Sequence, residues 1–146
     1  MNCHDVMTPS PVCCLPDDVV VDVARLMRTQ DIGSIPVVAD HSSQRLVGML
    51  TDRDLTLRVI AEGRDPRDTA VRDVMSMQPV VCRDTDVYQQ ALQAMGEHQV
   101  RRIPVVDAQG RLAGIIAQAD VATRLAQPST TGAVVEAISE PGASAR

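Results

Sequence analysis

Ser34-Ile35-Pro36-Val37-Val38 and Arg102-Ile103-Pro104-Val105-Val106 are two forms of one segment, separated by 68 positions in a chain of 146 residues. The same offset relates Asp5-Val6-Met7 to Asp73-Val74-Met75. A period of this length is too long for a stacked solenoid repeat. The sequence therefore predicts two similar small folds that pack together, with two related clefts where the copies face each other.

Each copy is predicted to open with a strand and a helix. Proline begins a short extended segment in each copy, at residues 11–15 and 79–83, and apolar residues at helical spacing follow it. Asp17 and Thr85 stand before these helices, and their side-chain oxygens are expected to cap the first free N–H groups.

A β-hairpin and a second helix complete each copy. Turn-prone links rich in Asp, Ser, Gln and Gly join the strands at residues 35–39 and 46–50, and at residues 103–107 and 112–116. The offset falls to 66 after the first strand, so the loop around residues 41–44 has gained two residues. The second helix is expected to start at Thr51 in one copy and at Ala117 in the other.

The predicted fold class is α/β, with two tandem repeats of the order strand, helix, strand, strand, helix related by a pseudo-twofold. Repeat 1 covers residues 5–62, a linker covers residues 63–72, and repeat 2 covers residues 73–126. Residues 127–146 are rich in Ser, Thr, Gly, Ala and Pro and are expected to be a partly disordered tail, with a turn around residues 134–138.

The composition excludes several classes of function. The net charge of −5 disfavours non-specific binding to nucleic acid, which requires a basic face. No apolar run reaches the length of a membrane span and no signal peptide is visible, so a cytoplasmic protein is expected. A Gly-x-Ser-x-Gly elbow, a phosphate-binding loop and paired metal-binding histidines are all missing from the sequence, which argues against an enzyme.

Cysteines leave a second reading open. Cys3, Cys13, Cys14 and Cys82 lack the spacings of a zinc finger or a redox motif. Cys14 and Cys82 hold equivalent repeat positions and are expected to be small buried hydrophobes. Cys3 and His4 could instead join Cys13 in a metal site.

Thr51 and Asp54 are the main candidates for binding. Their spacing favours a capping box, in which each residue satisfies the other's backbone N–H group. The same geometry suits an anion, because free N–H groups and the positive end of the helix dipole face outward. A hydroxyl there can donate to a phosphate, and a carboxylate one turn later can accept from a ribose. The residues alone leave both interpretations open.

The order of elements, together with Gly48-Met49-Leu50-Thr51-Asp52-Arg53-Asp54, resembles the cystathionine-β-synthase (CBS) domain family, whose tandem pair is known as a Bateman module. The resemblance covers residues 5–126 and includes both Asp-Val-Met openings, both Ile-Pro-Val-Val strands and the glycine in the second strand of each hairpin. The chain is most similar to stand-alone bacterial two-CBS proteins, including the hypoxic-response type, through residues 97–105.

This resemblance implies an adenine nucleotide in the cleft between the repeats. In that family Thr51 would donate to phosphate and Asp54 would accept from the ribose hydroxyls. Adenine would lie between the segment from Thr8 to Val12 and the strand residues Ile35 and Pro36, with Ile103 and Pro104 at the matching place in repeat 2. The implied ligand is AMP, ADP, ATP or an NAD-like adenosyl nucleotide, and no cofactor is required.

The second copy differs where the ligand would be held. Asp120 remains as a ribose acceptor, but Ala117 replaces the threonine. Arg101-Arg102 stands where the first copy has Gly33-Ser34, and two guanidinium groups can hold phosphate through charge-assisted hydrogen bonds. We expect the second site to be weaker and the arginines to reach phosphate at the Thr51 site.

The sequence thus predicts a regulatory, energy-sensing signal-transduction module that binds an adenine nucleotide, forms a homodimer and acts on an unknown protein partner. The residues from which the dimer surface would be drawn are Val20, Leu26, Leu55, Leu92 and Leu125. One alternative is a ligand-free dimeric interaction or stress-stabilising protein, in which Thr51 and Asp54 are only a cap. Another is a metal- or redox-responsive protein that uses Cys3, His4, Cys13 and Cys14.

Overall fold

A computed structural model of the chain describes residues 1–125 and divides into two compact units. The first unit is the contiguous segment Val12–Pro79, and the second unit combines Met1–Pro11 with the chain from Val80 onward. Each unit therefore holds most of one sequence repeat. The predicted tail at residues 127–146, with its turn at residues 134–138, lies outside the described residues.

Both repeats contain helices and strands. In chain order they are α1 (Cys3–Val6), β1 (Thr8–Pro9), α2 (Val20–Gln30), β2 (Ser34–Val38), β3 (Leu46–Thr51), α3 (Asp52–Asp54), a π-helix (Leu55–Ile60), a 3₁₀-helix (Val71–Asp73), β4 (Ser76–Met77), β5 (Cys82–Arg83), α4 (Tyr88–His98), β6 (Arg102–Val106), β7 (Leu112–Ala117) and α5 (Gln118–Leu125). This is the mixed α/β fold that the sequence predicts.

The two hairpins confirm the repeat register. Ser34 faces Thr51 in the antiparallel pair β2–β3, as Arg102 faces Ala117 in the pair β6–β7. Both ladders shift register between the last two residues of their first strand. The connecting loops span residues 39–45 and 107–111, so the two-residue gain lies in the first loop, as predicted.

The opening strand of each repeat pairs outside its own repeat. Strand β1 pairs with β7 of the second unit, and β4 pairs with β3 of the first unit. Glycine makes this close approach possible, because a Cβ atom at Gly114 would lie 2.5 Å from Met7 Sδ and 2.8 Å from the Thr8 carbonyl oxygen. A Cβ atom at Gly48 would lie 2.8 Å from the Ser76 carbonyl oxygen.

The prediction that Asp17 and Thr85 cap α2 and α4 is wrong. The N-cap residues are Val19 and Val87, and neither helix has a side-chain cap. Backbone carbonyls accept from the first N–H groups instead. Val20 N–H donates to the Thr69 carbonyl at 2.9 Å, and Tyr88 N–H donates to the Met1 carbonyl at 3.2 Å.

Two carboxylates close the turns before these helices. One is Asp18, the residue after Asp17, and the other is Asp86, which holds the matching position in the second repeat. Asp18 accepts from Leu15 N–H at 2.9 Å and Asp86 accepts from Arg83 N–H at 2.8 Å. Asp17 itself pairs with Arg72. Each carboxylate therefore closes the turn before the helix and leaves the helix end to backbone carbonyls.

The predicted linker at residues 63–72 packs against the first unit. Thr69 is buried, Val71 has no exposed surface, and Val71 N–H donates to the Asp18 carbonyl at 2.9 Å. Val71 lies in the same apolar core as Cys14, Val20 and Leu50.

The expected dimer residues are largely used inside the units. Val20 is 1% exposed and Leu92 is 4% exposed, so both belong to cores and cannot form a partner surface. Leu26 and Leu55 pack on the first core and are partly buried. The side chain of Leu125 lies outside the described part of the chain. Within residues 1–125, no helix is long and apolar enough to cross a bilayer.

Candidate functional site

Thr51 ends β3 and begins the helical segment that follows. Its Oγ1 accepts from Asp54 N–H at 3.1 Å, while Asp54 Oδ2 accepts from Thr51 N–H at 3.0 Å. Thr51 is in extended conformation and Asp54 is the third helical residue, so the two residues form the capping box that their spacing predicts.

Asp54 retains acceptor capacity on its other oxygen. The residue is 8% exposed, and Oδ2 is committed to the capping box. Within residues 1–125, Oδ1 has only long contacts, with Ser76 Oγ at 3.4 Å and with the half-exposed Arg58 Nε at 3.9 Å. Because a carboxylate oxygen has two lone-pair sites, Oδ1 can still accept a hydroxyl from a ligand.

A π-helix follows the capping box, and the sequence reading missed it. It spans Leu55–Ile60 and contains Arg58, whose Nη1 donates to the carbonyls of Val74 and Met75 at 3.1 Å each. Short π-helices inside helical segments are frequent at functional sites. Arg58 thereby holds the segment before β4 beside the carboxylate of Asp54.

The second unit repeats the arrangement with different residues. Asp120 Oδ2 lies 3.4 Å from the Ala117 backbone nitrogen and accepts from Thr8 Oγ1 at 3.2 Å. Thr8 stands 68 positions before Ser76 and makes the matching contact with its aspartate. The structure thus brings together two predicted residues that are far apart in sequence, Thr8 and Asp120.

Arg101 and Arg102 belong to this second arrangement. Arg102 faces Ala117 across the β6–β7 ladder, and the Arg101 carbonyl accepts from Gln118 N–H at 2.9 Å. Arg101 is exposed and Arg102 is half-buried. In the first unit the same places are held by Ser34 and by Gly33, whose carbonyl accepts from Asp52 N–H at 2.8 Å.

The residues predicted to contact adenine differ in their exposure and are divided between the two units. Ile35 and Ile103 have no exposed surface and belong to the two cores, so their side chains are not available to a base. Pro36 and Pro104 are buried beside them on β2 and β6. Thr8 lies in the second unit, whereas Val12 lies in the first and is 37% exposed.

The cysteines do not gather as the metal reading expects. Cys3 and His4 lie in the second unit, and Cys13 and Cys14 lie in the first. Among residues 1–125, no group of three or more His, Cys, Asp or Glu side chains could hold a metal ion. Cys13 Sγ lies 4.0 Å from His41 Nδ1 and 3.9 Å from Gln44 Oε1.

Burial determines the state of the first unit's inner cysteine. Desolvation raises the pKa of the Cys14 thiol to about 12, with a smaller contribution from the charge of Asp18. Cys14 is therefore a neutral thiol at physiological pH, and it packs in the core as the sequence predicts.

Each unit thus combines a β-hairpin with an aspartate that accepts from the last backbone N–H of the second strand. The CBS domain model matches residues 3–61 and 71–127, and the chain belongs to that family. The family prediction from the repeat is confirmed.

Two curated relatives match most of the chain. The CBS domain-containing protein YhcV of Bacillus subtilis is 38% identical over 135 residues, covering 92% of this chain and 93% of its own length. Hypoxic response protein 1 of Mycobacterium tuberculosis is 37% identical over 123 residues, covering 84% of this chain and 83% of its own length. Both are similar to this chain along most of their length.

Solved structures show the same fold. Hypoxic Response Protein I with two coordinated zinc ions matches with a TM-score of 0.76 at 34% identity, over 85% of this chain and 98% of that one. CBSX2 in complex with AMP matches with a TM-score of 0.73 at 29% identity, over 88% of this chain and 98% of that one. The zinc ions and the AMP belong to these two related structures.

Proposed function

We propose that this chain is a regulatory CBS-pair module that binds an adenine nucleotide through Thr51 and Asp54. The observation that carries the proposal is the open Oδ1 of a buried carboxylate, held one turn from a hydroxyl at the end of β3. The hydroxyl donates to phosphate and Oδ1 accepts from a ribose hydroxyl. The similarity to CBSX2, which has been solved with AMP, supports this ligand class.

At the second site we propose that charge replaces the missing hydroxyl, so the arginines are assigned to this site and not, as expected from the sequence, to the Thr51 site. Ala117 has no side-chain donor, and Asp120 already accepts from Thr8. Arg101 and Arg102 lie at the same end of the β6–β7 hairpin as Ala117. Guanidinium groups there can bind phosphate, although their long side chains lose rotamer freedom when they are ordered. We therefore expect weaker binding than at Thr51.

Regulation would follow from the ligand's preference for one conformation. A nucleotide shifts an equilibrium only by the difference between its affinities for the two states. Arg58 connects the Asp54 carboxylate to the backbone before β4, so a ribose that displaces the Arg58 or Ser76 contact alters how that segment is held. The output would pass to a protein partner.

A homodimer is part of the proposal, with a revised surface. Leu57 is 44% exposed and Ile60 is 73% exposed on the π-helix, whereas Val20 and Leu92 are core residues. Burial of such side chains in a partner interface removes apolar area from water at about 25 cal/mol per Å². Two-fold closure is the commonest arrangement of homo-oligomers.

Isothermal titration with AMP, ADP, ATP, NAD and S-adenosylmethionine, on protein treated with a chelator, tests the function. We expect at least one adenine nucleotide to bind with a measurable heat, and Asp54→Ala to weaken it. If none of the five ligands binds a folded protein, the ligand-free interaction role takes its place. A response to added zinc alone would favour the metal-responsive role.

A further inference from the structure

The second unit buries a pair of thiols that are 79 positions apart in sequence. Cys3 on α1 has no exposed surface and Cys82 on β5 is 4% exposed, and both belong to one core cluster. The two thiols are hydrogen-bonded to each other. Cys3 Sγ in turn lies 3.9 Å from the Val87 carbonyl oxygen.

Backbone contacts hold the pair in place from both sides. Cys3 N–H donates to the Asp86 carbonyl at 2.8 Å, and His4 N–H donates to the Asp84 carbonyl at 3.0 Å. On the opposite side, Cys82 pairs with Val105 in the parallel ladder of β5 and β6. The backbones of both cysteines are therefore held in place by contacts that do not depend on the thiols themselves.

The first unit provides an internal comparison. Cys14 lies at the repeat position of Cys82, and Val71 lies at the repeat position of Cys3. Val71 and Cys14 share the first core cluster and are both buried. The fold thus accepts valine where the second unit has Cys3, so packing alone does not require a second thiol there.

We propose that Cys3 and Cys82 form a reversible intrachain disulfide, with a low-molecular-weight disulfide such as glutathione disulfide as the oxidant. The Cys3 thiolate attacks one sulfur of the oxidant, and the first glutathione leaves as a thiolate and takes up a proton. Cys82 then loses its proton and attacks Cys3 sulfur, which releases the second glutathione. Two protein thiols are oxidised and one glutathione disulfide is reduced to two thiols.

The hydrogen bond also orders the two sulfurs for this chemistry. The hydrogen bond between the thiols lowers the pKa of Cys3, whereas the same bond and burial raise the pKa of Cys82. The thiolate is the attacking species in disulfide exchange. We assign Cys3, on the short N-terminal helix α1, as the first nucleophile and Cys82 as the resolving thiol.

Access to Cys3 depends on the N-terminal segment. Helix α1 has only four residues and is capped by Asn2, whose side chain accepts from Asp5 N–H at 3.1 Å. Short terminal elements open locally with little free energy. Once formed, the disulfide would link α1 to β5. It would also restrain the segment that contains Thr8, whose hydroxyl donates to Asp120.

The test equilibrates the folded full chain in glutathione redox buffers, traps free thiols with an alkylating agent and maps the linked peptides. We expect a Cys3–Cys82 link in monomeric chains, lost on reduction and enriched about tenfold or more over the denatured chain, because the fold raises the effective concentration of the pair. Cys3→Val, which installs the residue of the first repeat, must abolish the link and leave the fold intact. Cys82→Ser must abolish it as well.

Val71→Cys supplies the matched gain of function. It should give the first unit the same pair, with Cys14 as the partner, while Cys13 remains alkylated. A Cys3–Cys82 link no more abundant than pairings that involve Cys13, or no more abundant than in the denatured chain, would overturn the proposal. Neither result depends on nucleotide binding.

Discussion

Replacing Thr51 by alanine removes a single hydroxyl with two expected effects. The Asp54 N–H group loses the acceptor that lies 3.1 Å away. Loss of an N-cap side chain costs about 0.5–2 kcal/mol in the free energy of unfolding. The reciprocal bond, from Thr51 N–H to Asp54 Oδ2, uses the backbone and survives. The capping box would be halved and not abolished.

The same change should weaken nucleotide binding by a separate amount. A hydrogen bond from a hydroxyl to phosphate is a bond to a charged group, and its loss is worth about 1–3 kcal/mol, or roughly 5- to 150-fold in affinity. Denaturant unfolding measures the first effect and isothermal titration with AMP measures the second. Thr51→Ser keeps the hydroxyl and should retain most of both.

The two effects separate the competing interpretations of this residue. The titration is carried out at a temperature where both variants remain folded, so a lower melting temperature cannot imitate weaker binding. If Thr51→Ala unfolds more easily and yet binds AMP with wild-type affinity, Thr51 is a cap and the proposed phosphate contact does not exist.

Four further outcomes follow from particular contacts. The double variant Arg101→Gly, Arg102→Ser should weaken the binding of ATP and AMP but not of adenosine, and should reduce the salt dependence of ATP affinity, since exposed charges are screened over about 10 Å at 0.1 M. An equal loss of adenosine affinity would mean that the arginines shape the site and do not bind phosphate. Gly114→Ala should lower the free energy of unfolding by about 1–3 kcal/mol, because its Cβ atom would lie 2.5 Å from Met7 Sδ; unchanged denaturant unfolding would contradict the close approach. Backbone and side-chain donors of Ser43 and Ser42 lower the pKa of Asp40 from 3.8 to about 2, so the order of its loop should be complete above pH 3.8 and disappear as the pH falls through about 2; amide NMR of the loop checks this, and Asp40→Asn should remove the transition. Light scattering at micromolar concentration should give a dimer mass, and a monomer mass would exclude the proposed interface.

The elements with a regular side-chain pattern could be predicted from sequence. Both hairpins, their register and the extra loop residues follow from comparing one copy with the other. The capping box at Thr51 and Asp54 was also predictable, because both of its hydrogen bonds are made within four consecutive residues.

Features that depend on distant parts of the chain could not be predicted in this way. Strands β1 and β4 have two residues each, too few for any alternation to show. Asp17 and Thr85 fit the local pattern of an N-cap. Nothing in the neighbouring sequence indicates that the carbonyls of Thr69 and Met1 accept from the first N–H groups of these helices instead. The Cys3–Cys82 contact is equally invisible, since nothing in the spacing of two cysteines 79 positions apart indicates proximity.

Because each opening strand pairs outside its own repeat, the two units are completed at different times during translation. Residues 12–79 are contiguous, so the first unit can close as soon as β4 has emerged and paired with β3. The N-terminal eleven residues are synthesised first but must wait for β7, more than a hundred positions later, before Thr8 and Pro9 find their partners. Pairing across so long a stretch is slow to form. The earliest part of the chain to be made is therefore the last to be fixed, and a chaperone or protease that meets the nascent protein would encounter that segment unpaired.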